Sequence, residues 1–172
     1  MEIMWTPWRL RYILQAKSSE KIEECILCEK VRCSGEDRNN YVLYRGRYCY
    51  IMLNLYPYTN GHIMVIPYCH EADLTKLDDE SLYEMSSLTR ASVAALERLM
   101  QPTGFNIGMN IGRVAGAGIS DHVHMHVVPR WSGDTNFMTV LGGTRMIPED
   151  LDATYNKLLP LLIEEVSKQA RQ

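Results

Sequence analysis

Hydrophobic and polar positions along the chain fall into two repeating patterns, one suited to strands and one to helices. Tyr41-Val-Leu-Tyr44 and Tyr48-Cys-Tyr-Ile-Met-Leu53 are short aromatic and aliphatic runs separated by Arg45-Gly46-Arg47, which predicts a hairpin. Gly61-His-Ile-Met-Val-Ile-Pro67 predicts a third strand, stopped by its proline. The stretch from Asn54 to Asn60 before it contains Pro57 and reads as a loop. Leu82, Met85, Leu88, Ala91, Ala95 and Leu99 recur every three or four residues. That spacing predicts an amphipathic helix, with Asp78 as its N-cap and Pro102 and Gly104 ending it. Phe105 to Ile111 predicts a fourth strand, and His122 to Val128 a fifth, closed by Pro129. Leu151, Tyr155, Leu158, Leu162 and Val166 predict a C-terminal helix that Pro160 kinks or splits. At the other end, Thr6 caps a short helix from Pro7 to about Lys17. Residues 18–39 are polar and read as an irregular excursion ending in a loop at Ser34-Gly35-Glu36-Asp37.

A hairpin, a single strand, a helix and two further strands do not make the regular alternation of a parallel doubly wound sheet. The order predicts an α+β domain: a mostly antiparallel five-stranded sheet with one long helix plus N- and C-terminal helices. The 172 residues are read as a single domain (1–172), with an N-terminal helix and cysteine-containing excursion (1–39), a core (40–131) and a C-terminal extension (132–172). At 46% hydrophobic and 23% charged residues, the composition excludes collagen-like, disordered and coiled-coil classes. No apolar run reaches the roughly 18 residues of a membrane span, so no membrane partner is expected. The net charge of −3 gives no basic excess, which argues against a nucleic-acid polymer as partner while leaving room for a small anionic ligand. The N-terminus carries no signal-peptide pattern. The cysteines number five (Cys25, Cys28, Cys33, Cys49, Cys69), an odd count that fits a reducing cytoplasm.

Candidate chemistry concentrates in the histidines. Of His62, His70, His122, His124 and His126, the last three alternate within Asp121-His-Val-His-Met-His-Val-Val-Pro129. On a strand they share one face, about 7 Å apart, while Val123, Met125 and Val127 fill the other. A single histidine is commonly a hydrogen-bonded structural residue, but a row of three is expensive to desolvate and makes little sense as core. Gly112-Arg-Val-Ala-Gly-Ala-Gly118 precedes them, and its glycines let main-chain N–H groups approach a phosphate. Arg113 and Arg130 are candidate phosphate partners, or solvated surface charges. Asn54 suits either a ribose hydroxyl or the stabilisation of its own turn. Tyr50 and Leu53 line a base pocket or belong to the core, and Trp131 packs on substrate or at a subunit contact. Cys25-Ile-Leu-Cys28 is half of a metal site or a redox dithiol, against the reading of two ordinary thiols. The helix after a strand that a redox pair calls for is not expected at that point.

His122-Val-His-Met-His-Val-Val128 resembles the signature of the histidine triad (HIT) family, His-x-His-x-His followed by two apolar residues. Gly61–Pro67 is similar to the family's Gly-His strand, Leu53-Asn54 to its ribose-binding turn, and Asn110 with the glycine-rich loop to its phosphate approach. Trp5-Thr-Pro-Trp-Arg9 and Pro129-Arg-Trp-Ser-Gly-Asp-Thr-Asn-Phe-Met138 are similar to a bacterial branch that includes diadenosine tetraphosphate phosphorylases. The resemblance implies a HIT-like fold and cleavage of a dinucleoside polyphosphate or related nucleotide conjugate at its α-phosphorus. His124 would be the nucleophile, with His126 and His62 as its catalytic neighbours. Asn54, Leu53, Asn110, Gly118, Ser120 and Trp131 would contact substrate. The family's loop glutamine is missing; Ala117-Gly118-Ile119-Ser120 stands there, which leaves phosphate or water open as second nucleophile. In relatives with the cysteine pair, a histidine after the Gly-His strand and the first triad histidine complete a structural zinc site. That implies Cys25, Cys28, His70 and His122 as ligands, with Cys69 as a competitor, and no organic cofactor. The resemblance also implies a homodimer. Two rival readings stand beside it. One is a metallohydrolase using triad histidines as ligands, which the scarcity of nearby carboxylates disfavours. The other is a nucleotide-binding protein without turnover.

Overall fold

The structure, a computed structural model, describes residues 25–32, 34–134, 149–169 and 171. The helix expected from Pro7, the residues before Cys25, Cys33 and residues 135–148 of the C-terminal extension lie outside the described residues.

Five strands form one sheet: β1 (Val42–Arg45), β2 (Cys49–Leu53), β3 (Ile63–Pro67), β4 (Gly104–Gly108) and β5 (Met125–Arg130). Their spatial order is β1-β2-β3-β5-β4, and every neighbouring pair is antiparallel. Three α-helices accompany them among the described residues: α1 (Ile26–Arg32), α2 (Asp79–Met100) and α3 (Leu151–Gln169). This is the α+β arrangement that the order of elements predicts.

Both faces of the central strands are covered, and the period of two in β2 shows how. Cys49, Ile51 and Leu53 join Ile63, Val65 and Val127 in a core closed by Met85, Leu88, Ala91, Ala95 and Leu96 of α2 and by Tyr155, Leu158 and Leu162 of α3. Tyr50 and Met52 point the other way, into a smaller cluster with Val42, Met64, Ile66 and Leu27 of α1. The helix α2 starts where the sequence places its cap: the Asp78 carboxylate accepts from the Ser81 N–H at 2.6 Å. It ends at Gln101, which turns left-handed (φ 47°) just before Pro102.

Several expectations are corrected. Strand β5 begins at Met125, so His122 and His124 precede it. The cause is the partner: β3 ends at Pro67, which has no N–H to offer. The chain beyond finds other bonds, with Val123 N–H donating to Glu71 O (2.7 Å) and the His122 ring to Pro67 O (2.9 Å). Pro129 does not stop β5 but lies within it, opposite Phe105. Pro160 does not split α3, which runs unbroken from Leu151 to Gln169. It sits on the exposed side while Leu158 and Leu162 anchor the turns around it. The cysteine pair, expected in irregular chain, stands at the start of a helix: Cys25 immediately precedes α1 and Cys28 lies in its first turn. Seven residues are too few to stay helical alone. Three side chains hold α1 by its carbonyls: Tyr50 OH donates to Leu27 O (2.8 Å), Asn40 Nδ2 to Lys30 O (3.0 Å) and Arg45 Nη1 to Val31 O (2.8 Å). Asp37 in turn grips the Arg45 guanidinium at 2.6–3.0 Å.

Candidate active site

The three alternating imidazoles keep a common side even though only His126 is on the strand. Val123, Met125 and Val127 pack with the α2 core, and His122, His124 and His126 face away from it. All three are buried, at 1%, 5% and 9% exposure. Each ring has a hydrogen-bond partner that decides which nitrogen holds the proton. The His124 Nδ1–H donates to the His122 carbonyl (2.8 Å), so its Nε2 keeps the lone pair. The His122 Nε2–H donates to Pro67 O, which turns its Nδ1 lone pair toward the cysteines. His62, just ahead of β3, lies across from His126 with its Nε2 3.0 Å from His126 Nδ1. Its Nδ1 receives the Tyr58 N–H at 3.1 Å, with Asn54 Nδ2 at 3.3 Å. The rings of His124 and His126 meet edge to face with centroids 4.7 Å apart.

Burial sets the electrostatics. Desolvation lowers His124 below the ordinary histidine range, and its bond to the His122 carbonyl only partly opposes this. Burial, with a further push from His124, takes His126 down to about 4. His122 is lowered for the same leading reason. At neutral pH the triad rings are therefore uncharged: His124 offers a lone pair, and its neighbours offer N–H groups.

An open cavity of about 1170 Å³ adjoins this cluster. His126, Tyr58, Asn110, Trp131, Asn106 and Arg130 are among its lining residues. His126, Asn110 and Trp131 are thus brought together. Leu53 is not: its side chain is 1% exposed and fills the core. Gly118 ends the glycine-rich loop and Ser120 follows it, and neither lines the cavity. In that loop Gly112 and Gly116 take positive φ (81° and 91°) around a single 3₁₀ turn over Arg113–Ala115. Arg130, read from sequence as a phosphate partner, is neutralised: Asp134 takes its Nε and Nη2 at 2.6 and 2.8 Å, and Asn106 Oδ1 its Nη1 at 2.6 Å. Asn54 is spent locally, its Oδ1 accepting the Tyr56 N–H (2.9 Å) and its Nδ2 lying over His62. Tyr58 is the neighbour that residue patterns missed. Its ring lies 4.7 Å from His62 and 5.9 Å from His126, and it acts on His62 through a main-chain N–H that no side-chain motif signals.

On the far side of His122 stands a second constellation. Donor atoms of Cys25, Cys28, His70 and His122 all lie within 4.8 Å of one another. His122 Nδ1 is 3.4 Å from Cys25 Sγ and 3.5 Å from Cys28 Sγ, and His70 Nδ1 is 3.6 Å from Cys28 Sγ. Two thiols and two imidazoles so placed can hold a divalent metal ion. Burial and the adjacent Cys25 push the Cys28 thiol up to about 11, a thiol that a cation would instead keep deprotonated. His124 and His126 are outside this group.

The same chain matches known proteins along most of its length. A family model described as the HIT domain matches residues 36–133. The AP-4-A phosphorylase of Mycobacterium tuberculosis (strain ATCC 25618 / H37Rv) is 37% identical over 159 residues, which cover 90% of this chain and 80% of that protein. The adenosine 5'-monophosphoramidase HNT1 of Saccharomyces cerevisiae is 28% identical over 106 residues, 62% of each chain. A crystal structure of a Zn-bound histidine triad family protein from Mycobacterium smegmatis is similar with a TM-score of 0.65 and 27% identity, covering 84% of this chain and 97% of that one. With the triad, the antiparallel sheet and these relatives in agreement, the chain belongs to the HIT family.

Proposed function

We propose that this chain is a nucleotidyl-transfer enzyme that cleaves dinucleoside polyphosphates, such as diadenosine tetraphosphate, at the α-phosphorus. The observation that carries the reading is the His124 ring: neutral, its Nδ1–H spent on the His122 carbonyl so that Nε2 keeps its lone pair, and packed edge to face on His126, which lines the cavity although His124 itself does not. In the first step Nε2 bonds to the α-phosphorus, and the bond from phosphorus to the bridging oxygen breaks with its electrons. The remaining polyphosphate leaves as an anion. In the second step an oxygen of phosphate or water attacks the same phosphorus, an attacking water giving up its proton to solvent, and the N–P bond breaks with its electrons returning to Nε2, so that His124 regains its starting form. His126 holds an N–H toward the phosphoryl oxygens, where charge builds up in each transition state. Asn110 and Trp131 contact the nucleotide in the cavity, and Asn54 and His62 orient the pair from behind; Gly118 and Ser120, outside the cavity lining, would reach only the phosphate chain that extends from it. Leu53 supports the pocket from the core rather than by touching the ligand. The names of the relatives, a phosphorylase of AP-4-A and a monophosphoramidase, support nucleotide processing. That His124 and His126 belong to no metal-donor group among the described residues favours this reading over a catalytic-metal hydrolase.

Purified protein given diadenosine tetraphosphate should release mononucleotides, and His124→Ala should slow release about a thousandfold or more. ADP appearing only when phosphate is present marks phosphorolysis, and AMP in its absence marks hydrolysis. Full activity in His124→Ala would end the proposal.

Cys25, Cys28, His70 and His122 are read as a structural zinc site. Tetrahedral zinc with Zn–S of about 2.3 Å and Zn–N of about 2.0–2.1 Å separates neighbouring sulfur and nitrogen donors by about 3.5 Å, and the S···N distances here are 3.4–3.6 Å. The His122 Nε2–H bond to Pro67 O is the outer partner that a ligating imidazole needs. Elemental analysis should find close to one zinc per chain, and well below half an equivalent in Cys25→Ser. A homodimer is supported by the edge of β4, which no strand pairs among the described residues and where Ile107 is 49% exposed. Sedimentation at micromolar concentration should give twice the chain mass.

A further inference from the structure

The orientation of His126 is settled two residues away from it. A neutral imidazole has one N–H and one lone pair, so an acceptor role at one nitrogen fixes a donor role at the other. Tyr58 N–H points at His62 Nδ1 (3.1 Å), whereas Asn54 Nδ2 lies over the ring, 3.3 Å from Nδ1 and 3.5 Å from Nε2, and does not choose between them; the Tyr58 amide does. An amide N–H only donates, so His62 Nδ1 holds the lone pair and Nε2 the proton. His62 Nε2 is 3.0 Å from His126 Nδ1, which must then accept. The proton of His126 is left on Nε2, on the ring that lines the cavity. A side-chain donor could rotate away or change its protonation, but a main-chain amide can do neither. This one sits in a loop fastened at both ends, by the Asn54 Oδ1 bond to Tyr56 N–H (2.9 Å) and by the Thr59 hydroxyl on Pro129 O (2.8 Å).

We propose that Tyr58 is a positioning residue: its main-chain N–H locks His62 as the Nε2–H tautomer and thereby locks His126 as an Nε2–H donor toward the phosphoryl group. This rests on the reading of His124 and His126 as the reacting pair. The lock has a chemical consequence. With His126 Nδ1 filled by the His62 N–H, no second proton can be placed there unless His62 also turns over, and the Tyr58 amide opposes that turn. His126 therefore acts as a neutral hydrogen-bond donor that keeps its proton through the transfer. No proton is lost or gained in the relay, and the leaving polyphosphate departs as an anion.

The test reads the protons directly. In protein labelled with ¹⁵N-histidine, NMR should place the proton on Nε2 of His62 and of His126, and on Nδ1 of His124. A proton found on Nδ1 of His62 overturns the proposal without any variant, and independently of whether a nucleotide is turned over. Replacing Tyr58 by its α-hydroxy acid turns the amide N–H into an ester oxygen and keeps the ring. That variant should lose the fixed pattern at His62 and His126 and lower kcat about tenfold, the size of one hydrogen bond, with KM within about twofold. Tyr58→Ala keeps the amide and should keep the histidine pattern. If the ester leaves both pattern and kcat unchanged, or if Tyr58→Ala alone destroys the pattern, the amide is not the lock.

Discussion

At the scale of residues, the triad is a set of uncharged rings that the fold keeps uncharged, and acid should expose what this requires. His126 titrates near 6.5 in an unfolded chain and near 4 when buried in the fold. The unfolded chain takes up its proton first, so protonation favours unfolding as pH falls between those values. The contribution of His126 to stability is complete above about pH 6.5, falls through the interval, and is gone below about pH 4, a loss of about 3 kcal/mol. His124 and His122 are lowered as well and act in the same direction. Urea unfolding at pH 7.5 and at pH 4.5 should show this drop, and His126→Asn should make it smaller. An unchanged pH dependence in that variant would mean that His126 is not held neutral by burial. The histidines were legible in sequence because alternation survives even where the strand does not: Val123 and Val127 still go to the core. What was not legible was their wiring. The Tyr58 amide, the Pro67 carbonyl and the His122 carbonyl belong to the main chain, and residue type says nothing about where a main-chain group points.

At the scale of elements, α2 could be read from its period and its cap, since both are local. Asp78→Ala should lower the denaturant midpoint, because it strips the acceptor from Ser81 N–H. The helix α1 could not be read. It is only seven residues long, too short for a periodic pattern to show, and its order comes from Tyr50, Asn40 and Arg45, which are distant in sequence from the carbonyls they hold. Tyr50 matters most among these, being fully buried with its hydroxyl bonded to Leu27 O. Tyr50→Phe keeps the packing and removes the side-chain donor from that carbonyl, so it should destabilise the protein by about 1 kcal/mol. Because Cys25 and Cys28 ride on this helix, the same change should weaken metal retention in a competition with a chelator. Retention equal to wild type would show that α1 is placed by the metal site and not by Tyr50. The limits of β5 were hidden for a related reason. A strand ends where its partner stops offering bonds, and that partner is the proline-terminated β3.

At the scale of the whole molecule, the four residues proposed as metal ligands join three separated pieces: α1, the turn after β3 that carries His70, and the approach to β5 that carries His122. None of the four belongs to the main core between the sheet and helices α2 and α3. The protein therefore differs from small domains that fold only around their metal. Its 22-residue and 19-residue helices pack on the sheet through residues that need no cation, while only the 7-residue α1 depends on both the ligands and its three side-chain anchors. Removing metal with a strong chelator should leave the far-UV circular dichroism nearly unchanged. It should lower Tm by roughly 2–4 °C for each kcal/mol of binding energy withdrawn from the folded state. Amide hydrogen exchange should quicken in α1 and around His122 while the buried amides of α2 stay protected. Complete unfolding on chelation would contradict this division of the molecule. So would exchange that rises equally in α2, because the core could then not be self-sufficient.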